Sequence, residues 1–259
     1  MSKIVLQGFP FDEKSSFKKG AALAPPLIRE AYHCDSSNYY AEDGMEIAPS
    51  CFEDKGDFEM DHYFDIRSIT LRHLNLNRPV LTLGGDHSIT YPLLQAFHEK
   101  HGPLSILHID AHSDLYENFE GDPHSHACPF FNIMKEGLCD DLTQVGVRTL
   151  TTLQRQNAKA YKVNVVEMKH FERFKMPEFK RPLYLSLDID ALDPAFAPGV
   201  SHHEPGGLTT RQLLHLVQNI KTPIVGADIV EFNPTCDING TTAMLCAKLL
   251  KEIAAKMLF

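Results

Sequence analysis

Leu104-Ser105-Ile106-Leu107-His108-Ile109-Asp110-Ala111-His112-Ser113-Asp114 is an apolar run that breaks into two carboxylates and an imidazole. Runs of this length, too short for a typical helix and rich in aliphatic side chains, read as strands buried on both faces. Two further stretches share the design: Val80-Leu81-Thr82-Leu83 leads into Gly84-Gly85-Asp86-His87-Ser88, and Leu183-Tyr184-Leu185-Ser186-Leu187 leads into Asp188-Ile189-Asp190. In an open parallel sheet, ligands bind outside the carboxyl ends of the strands. His87, Asp110, His112, Asp114, Asp188 and Asp190 are therefore expected to meet in one crevice. Extended backbone sends residues i, i+2 and i+4 to one face, so the one-residue gaps in Asp110-x-His112-x-Asp114 and Asp188-x-Asp190 are expected to aim these side chains together. Carboxylates held this close repel one another unless a cation lies between them, and a two-metal site is the reading.

Outward from these three stretches the same alternation continues. Strands are expected over 3–9, 142–147, 163–168 and 224–229, and helices over 22–32, 61–75, 89–100, 129–136, 150–161, 210–220 and 242–257. Pro25 and Pro26 suit the first turn of their helix, where a missing N–H costs little, and Ser88 is a candidate N-cap for the helix after the second stretch. Residues 36–61 are polar, acidic and patternless, a surface excursion with room for a short edge strand. Continuous apolar strands spaced by helices imply a mostly parallel central sheet covered on both faces. The expected architecture is a three-layer α/β/α sandwich, with residues 1–259 forming one catalytic domain.

Hydrophobic residues make up 43% of the chain and charged ones 23%, an ordinary balance for a globular protein. No stretch approaches the roughly 18 apolar residues of a transmembrane segment, so no membrane association is expected. Met1-Ser2-Lys3 runs straight into Ile4-Val5-Leu6, too short a core for an export signal. Six cysteines are scattered without a C-x-x-C pair, which fits a reducing cytoplasm. A net charge of −9 without a basic cluster argues against nucleic acid and favours cationic small molecules.

Each cluster alone has a plainer reading: Gly84-Gly85 suits a tight turn, and His87 could be a hydrogen-bonded interior residue. Together they supply four carboxylates and two imidazoles with no thiolate, a hard donor shell that suits Mn²⁺ better than tetrahedral Zn²⁺. Cys128, near the same loop, reads as a buried inert thiol.

Gly-Gly-Asp-His-Ser at 84–88, Asp-Ala-His-Ser-Asp at 110–114 and the run Ser-Leu-Asp-Ile-Asp-Ala-Leu-Asp-Pro-Ala-Phe-Ala-Pro-Gly at 186–199 resemble, in order and spacing, the ureohydrolases: arginase, agmatinase, formimidoylglutamase and guanidinobutyrase. Weaker likeness runs from Gly20–Arg29 to Glu231-Phe232-Asn233-Pro234. The resemblance implies a binuclear manganese hydrolase of a guanidino or formimino C–N bond. It makes His87, Asp110, Asp114 and Asp188 the ligands of one ion, and Asp110, His112, Asp188 and Asp190 those of the other, with activated water attacking the guanidinium carbon. Asp114 is implied to help move a proton to the departing amine, Glu231 to hold the guanidinium, and His126 to shuttle protons. Ala127 stands where the family more often has glycine, and His124, His202 and His203 are rivals for the proton role. The resemblance also implies a homo-oligomer, trimer or hexamer.

The loop between Asp114 and His126 carries Glu117, Glu120 and Asp122, which would repel a carboxylate-bearing substrate and tolerate agmatine. It reads equally as a solvated acidic loop. Agmatine, cleaved to putrescine and urea, is the expected substrate, and the likeness leans to the agmatinase branch. Val200-Ser201-His202-His203-Glu204 and Ser125-His126-Ala127 look more like plant-type arginases, and arginine, guanidinobutyrate and formimidoylglutamate are the alternatives. A metallophosphoesterase would add Gly-Asn-His and Gly-His-x-His motifs that are missing, and a one-zinc deacetylase would not need all six donors. The alternative of another class is a non-catalytic, metal-stabilised binding protein.

Overall fold

The computed structural model describes residues 3–258. Met1 and Ser2, where the export-signal reading begins, and Phe259, the last residue of the expected domain, lie outside them. Eight strands form one sheet, in the order β2-β1-β3-β8-β7-β4-β5-β6. They are β1 (Ile4–Gly8), β2 (Phe52–Asp57), β3 (Val80–Leu83), β4 (Leu104–Ile109), β5 (Cys139–Val147), β6 (Asn164–Glu167), β7 (Leu183–Asp188) and β8 (Ile224–Val230). Every neighbouring pair is parallel. The helices are α1 (Ala24–Tyr32), α2 (Asp65–Leu74), α3 (Thr90–His101), α4 (Pro129–Lys135), α5 (Thr152–Ala160), α6 (Thr210–Gln218) and α7 (Thr241–Leu258).

Strand residues alternate between two apolar layers. Leu81, Leu83, Leu107, Leu185 and Leu187 pack with α1, α6 and α7, while Val80, Ile106 and Tyr184 pack with α2, α3, α4 and Ala158 of α5. Both faces are dry, which is why these strands read as unbroken apolar runs. The expected edge strand in the acidic excursion is β2, where only Phe52 is buried and Asp54, Lys55 and Asp57 are exposed at the edge of the sheet. No described helix is long and apolar enough to cross a membrane.

Helix starts follow their caps. Thr151 with Gln154, and Thr209 with Gln212, form complete capping boxes at α5 and α6. Ser88 is not the cap expected for α3: a 3-10 turn over His87–Ile89 precedes that helix, and the Asp86 carboxylate accepts the Ser88 N–H. Asp86 reaches the orphan donor from one turn earlier, so His87 and Ser88 already lie inside the turn.

Candidate active site

Four strands adjacent at the middle of the sheet, β3, β8, β7 and β4, end on one rim, and each delivers part of the site. His87 opens the 3-10 turn after β3. Its approach needs Gly85, because a Cβ there would run into the Phe11 backbone, which accepts the Asp86 N–H at 2.8 Å. Asp188 is the last residue of β7, and Asp190 lies in the 3-10 turn Ile189–Ala191. Asp110 follows β4, and Glu231 follows β8.

The expected alternation along extended backbone is not how the side chains converge. β4 stops at Ile109, and Asp114 takes the left-handed conformation, φ 49°, as does Glu231 at φ 63°. Left-handed non-glycine residues are uncommon and cost energy. Turns, not pleats, bring these side chains together here.

The convergence itself is tight. His87 Nδ1 lies 3.1 Å from Asp110 Oδ2, 3.2 Å from Asp114 Oδ2 and 3.1 Å from Asp188 Oδ2. His112 Nδ1 lies 2.9 Å from Asp190 Oδ2 and 3.5 Å from Asp110 Oδ1. Donors at ~2.1 Å around one octahedral cation stand ~3 Å from their neighbours, so these spacings fit a coordination shell. Two donor groups result, one around His87, Asp110 and Asp114 and one of Asp110, His112 and Asp190, and they share Asp110.

The electrostatics point the same way. Burial would lower the His87 pKa, yet hydrogen bonds to the Asp110, Asp114 and Asp188 carboxylates hold it well above the usual histidine range. Burial, with the Asp190 and Asp110 charges, pushes Asp188 well up. Burial and the Asp110 charge likewise raise Asp190 against the pull of His112. Buried carboxylates short of positive charge are neutralised by protons or by cations, and an all-oxygen-and-imidazole donor set fits divalent ions of hard character.

A cavity of about 230 Å³ opens onto this cluster. Glu231 lies on its wall, with Oε1 accepting the His87 N–H at 2.8 Å and facing His126 Nδ1 at 2.8 Å. Burial opposes the His126 charge, but Glu231 raises its pKa to about 9, and His126 in turn holds Glu231 below the usual glutamate range despite burial. Of the rival histidines, His202 lines the cavity with its ring 5.4 Å from His126. His124 packs instead against Tyr63, Phe64 and Tyr91, and His203 Nε2–H donates to Pro198 O at 2.8 Å. Cys128 is buried and its thiol is pushed up to about 12, mainly by that burial. A larger groove, about 510 Å³, lies between 171–178 and α6, remote from these carboxylates.

Three residues with no signal in the sequence take part. Ser16 lines the cavity, its N–H pointing at His126 Nε2 over 3.2 Å. Arg148 donates to the carbonyls of Asp190, Ala191, Leu192 and Glu204, tying the Asp190 turn to the 200–207 loop. His108 Nε2 lies 2.7 Å from Asp110 Oδ2.

Comparison with known proteins adds a likeness of the whole chain. The model of the arginase family matches residues 2–255. Arginase 1, mitochondrial, of Arabidopsis thaliana is 43% identical over 97% of this chain and 80% of its own. The N(1)-aminopropylagmatine ureohydrolase of Thermus thermophilus is 36% identical over 90% of this chain and 83% of its own. The structure of arginase from Medicago truncatula superposes with a TM-score of 0.91 at 42% identity, covering 99% of this chain and 87% of that one.

Proposed function

Since the chain belongs to the arginase family, we propose that residues 1–259 act as one catalytic domain, a two-manganese ureohydrolase that cleaves a guanidino C–N bond and releases urea. The observation that carries this reading is the meeting of three carboxylates on His87 Nδ1 beside the Glu231 carboxylate. His87, Asp110, Asp114 and Asp188 would hold one ion, and Asp110, His112, Asp188 and Asp190 the other. Bound there, the two ions supply the positive charge that makes water acidic enough to be a nucleophile near neutrality.

Around them, Glu231 orients the planar guanidinium by charge-assisted hydrogen bonds. Asp114 takes up the proton that the departing amine needs, and His126, bonded to Glu231, carries protons between the cavity and solvent. A departing amine must be protonated, because its anion is a very poor leaving group. Ser16 keeps His126 in place from the far side of the ring.

For the substrate we put L-arginine first, on the strength of the similarity to plant arginases over nearly the whole chain. Agmatine is the second reading, favoured by a specific feature: no lysine or arginine lines the described cavity, while Glu204 does. Both compounds end in an ammonium, which suits a glutamate at the cavity wall. Free thiols at all six cysteines support a reducing compartment such as the cytoplasm. A homo-oligomer, trimer or hexamer, is part of the proposal, and light scattering on the purified protein reads it directly.

The test is urea release from arginine, agmatine and guanidinobutyrate with added Mn²⁺. We expect turnover of arginine or agmatine and little of guanidinobutyrate, with Glu204→Gln raising KM for the ammonium-bearing substrates by about tenfold. Binding of all three without release of urea would point to the non-catalytic alternative.

A further inference from the structure

Beneath the carboxylate cage, six polar side chains stand in register across the sheet: Gln7 on β1, Thr82 on β3, Asp228 on β8, Ser186 on β7, His108 on β4 and Gln144 on β5. All six are 0% exposed. Burying a polar group without a partner costs about 1–3 kcal/mol, and the row is satisfied in neighbouring pairs: Gln7 with Thr82, Ser186 with Asp228 and Gln144 with His108. The row touches the candidate site at two points.

The first point is His87. Asp228 Oδ2 accepts the Tyr184 hydroxyl at 2.7 Å and the Thr90 hydroxyl at 2.9 Å, and Asp228 Oδ1 accepts the Ser186 hydroxyl at 2.7 Å. Serine has one hydroxyl hydrogen. Having given it to Asp228, Ser186 Oγ can only accept from His87 Nε2, 2.9 Å away. Nε2 thus always carries a proton, and Nδ1, which faces Asp110, Asp114 and Asp188, is the nitrogen that would give up its proton to a cation.

The second point is Asp110. Gln144 Nε2 donates to Ser113 O at 2.6 Å and to His108 Nδ1 at 3.0 Å. Turning the amide over would set its oxygen against the Ser113 carbonyl, so its orientation is determined. His108 Nδ1 is therefore an acceptor, and Nε2 carries the hydrogen donated to Asp110 Oδ2 at 2.7 Å. Stacking on Phe130, 3.8 Å between centroids, holds the ring flat. By position His108 belongs to the donor group around His87, yet both of its nitrogens are already committed.

We propose that this buried row is a positioning frame for the two-cation site: Asp228, acting through Ser186, presents His87 Nδ1 as a ligand, and Gln144, acting through His108, orients Asp110 while His108 itself stays out of the coordination shell. The proposal rests on the two-cation reading and makes a distinction which that reading lacks. His87 belongs to one donor group and Asp110 to both, so the two arms of the frame act on different numbers of ions.

The test is a Mn²⁺ titration of the purified full chain, without substrate, followed by the paramagnetic resonance signal of free Mn²⁺. Wild type should bind two ions. Asp228→Asn and Ser186→Ala should weaken one ion by about 10–100-fold, the usual effect of losing a partner that orients a ligand, and leave the other within about threefold. His108→Phe, which keeps the stack and loses the donor, should weaken both. Should Asp228→Asn fail to fold, Ser186→Ala decides, since it leaves Asp228 its other two donors. Wild-type affinities in the Ser186 and His108 variants, or equal loss of both ions in Ser186→Ala, would overturn the frame. Two bound ions without urea release would sink the proposed function and leave the frame standing, whereas fewer than two ions in wild type removes both.

Discussion

Three histidine rings close on the Asp110 carboxylate: His108 at 2.7 Å, His87 at 3.1 Å and His112 at 3.5 Å. Burial alone would raise its pKa, but the neighbouring imidazoles, His108 foremost, hold it well below the usual aspartate range. Asp110→Ala is accordingly expected to abolish metal binding and urea release together. Glu231→Ala should leave the metal content unchanged, because its carboxylate meets the His87 backbone and not the ligand nitrogen, while kcat/KM falls by about 10–150-fold for a lost charged hydrogen bond. Metal analysis of both variants beside the urea assay separates them, and loss of metal in Glu231→Ala would contradict the assignment. The meeting of these carboxylates and imidazoles was legible in the sequence because such groups at the ends of apolar runs carry a burial cost that must be offset by protons or by a cation. The parts of Ser16 and Arg148 were not: Ser16 meets His126 across more than a hundred residues of sequence, and the Arg148 guanidinium bonds main-chain carbonyls, whose places no residue type reveals. The left-handed Asp114 and Glu231 were equally hidden, as no residue-type rule foretells a conformation held by its surroundings.

Helices and strands were readable to within a few residues wherever burial set the pattern, as in β4, β7 and α7. Ends were harder: the helix expected from 61 begins at Asp65, after a turn that the polar sequence does not distinguish from helix. The loop before β2 illustrates what holds an unpatterned segment. Glu42 pairs with Arg211 of α6 and receives Gln218, and Lys248 of α7 lies nearby, which together lower its pKa to about 2. A group with a depressed folded pKa stabilises above its unfolded value, here near 4.5, and loses that contribution as pH falls toward 2. The pair is partly exposed, so about 1 kcal/mol is at stake. Denaturant unfolding of Glu42→Gln should therefore show a deficit of that size at pH 6 that shrinks below pH ~4. A deficit that does not change with pH would assign the effect to packing instead.

At the scale of the whole molecule, the sequence carries the parallel sandwich in its alternation of strands and helices, but not the order of the strands. β7 and β8 enter late in the chain and insert between β3 and β4, an arrangement decided by packing across the sheet that periodicity along the chain does not encode. That insertion is what brings His87, the 110–114 turn, the Asp188 pair and Glu231 to neighbouring positions on one rim, and the proposed chemistry depends on it. The most direct measurement is the paramagnetic resonance spectrum of protein loaded with two equivalents of Mn²⁺. Two ions sharing the Asp110 carboxylate should give the temperature-dependent multiline spectrum of an exchange-coupled pair, and Asp110→Ala should erase it. Two isolated six-line signals, or a single one, would mean that the side chains do not cage a pair of ions, and the account would be wrong.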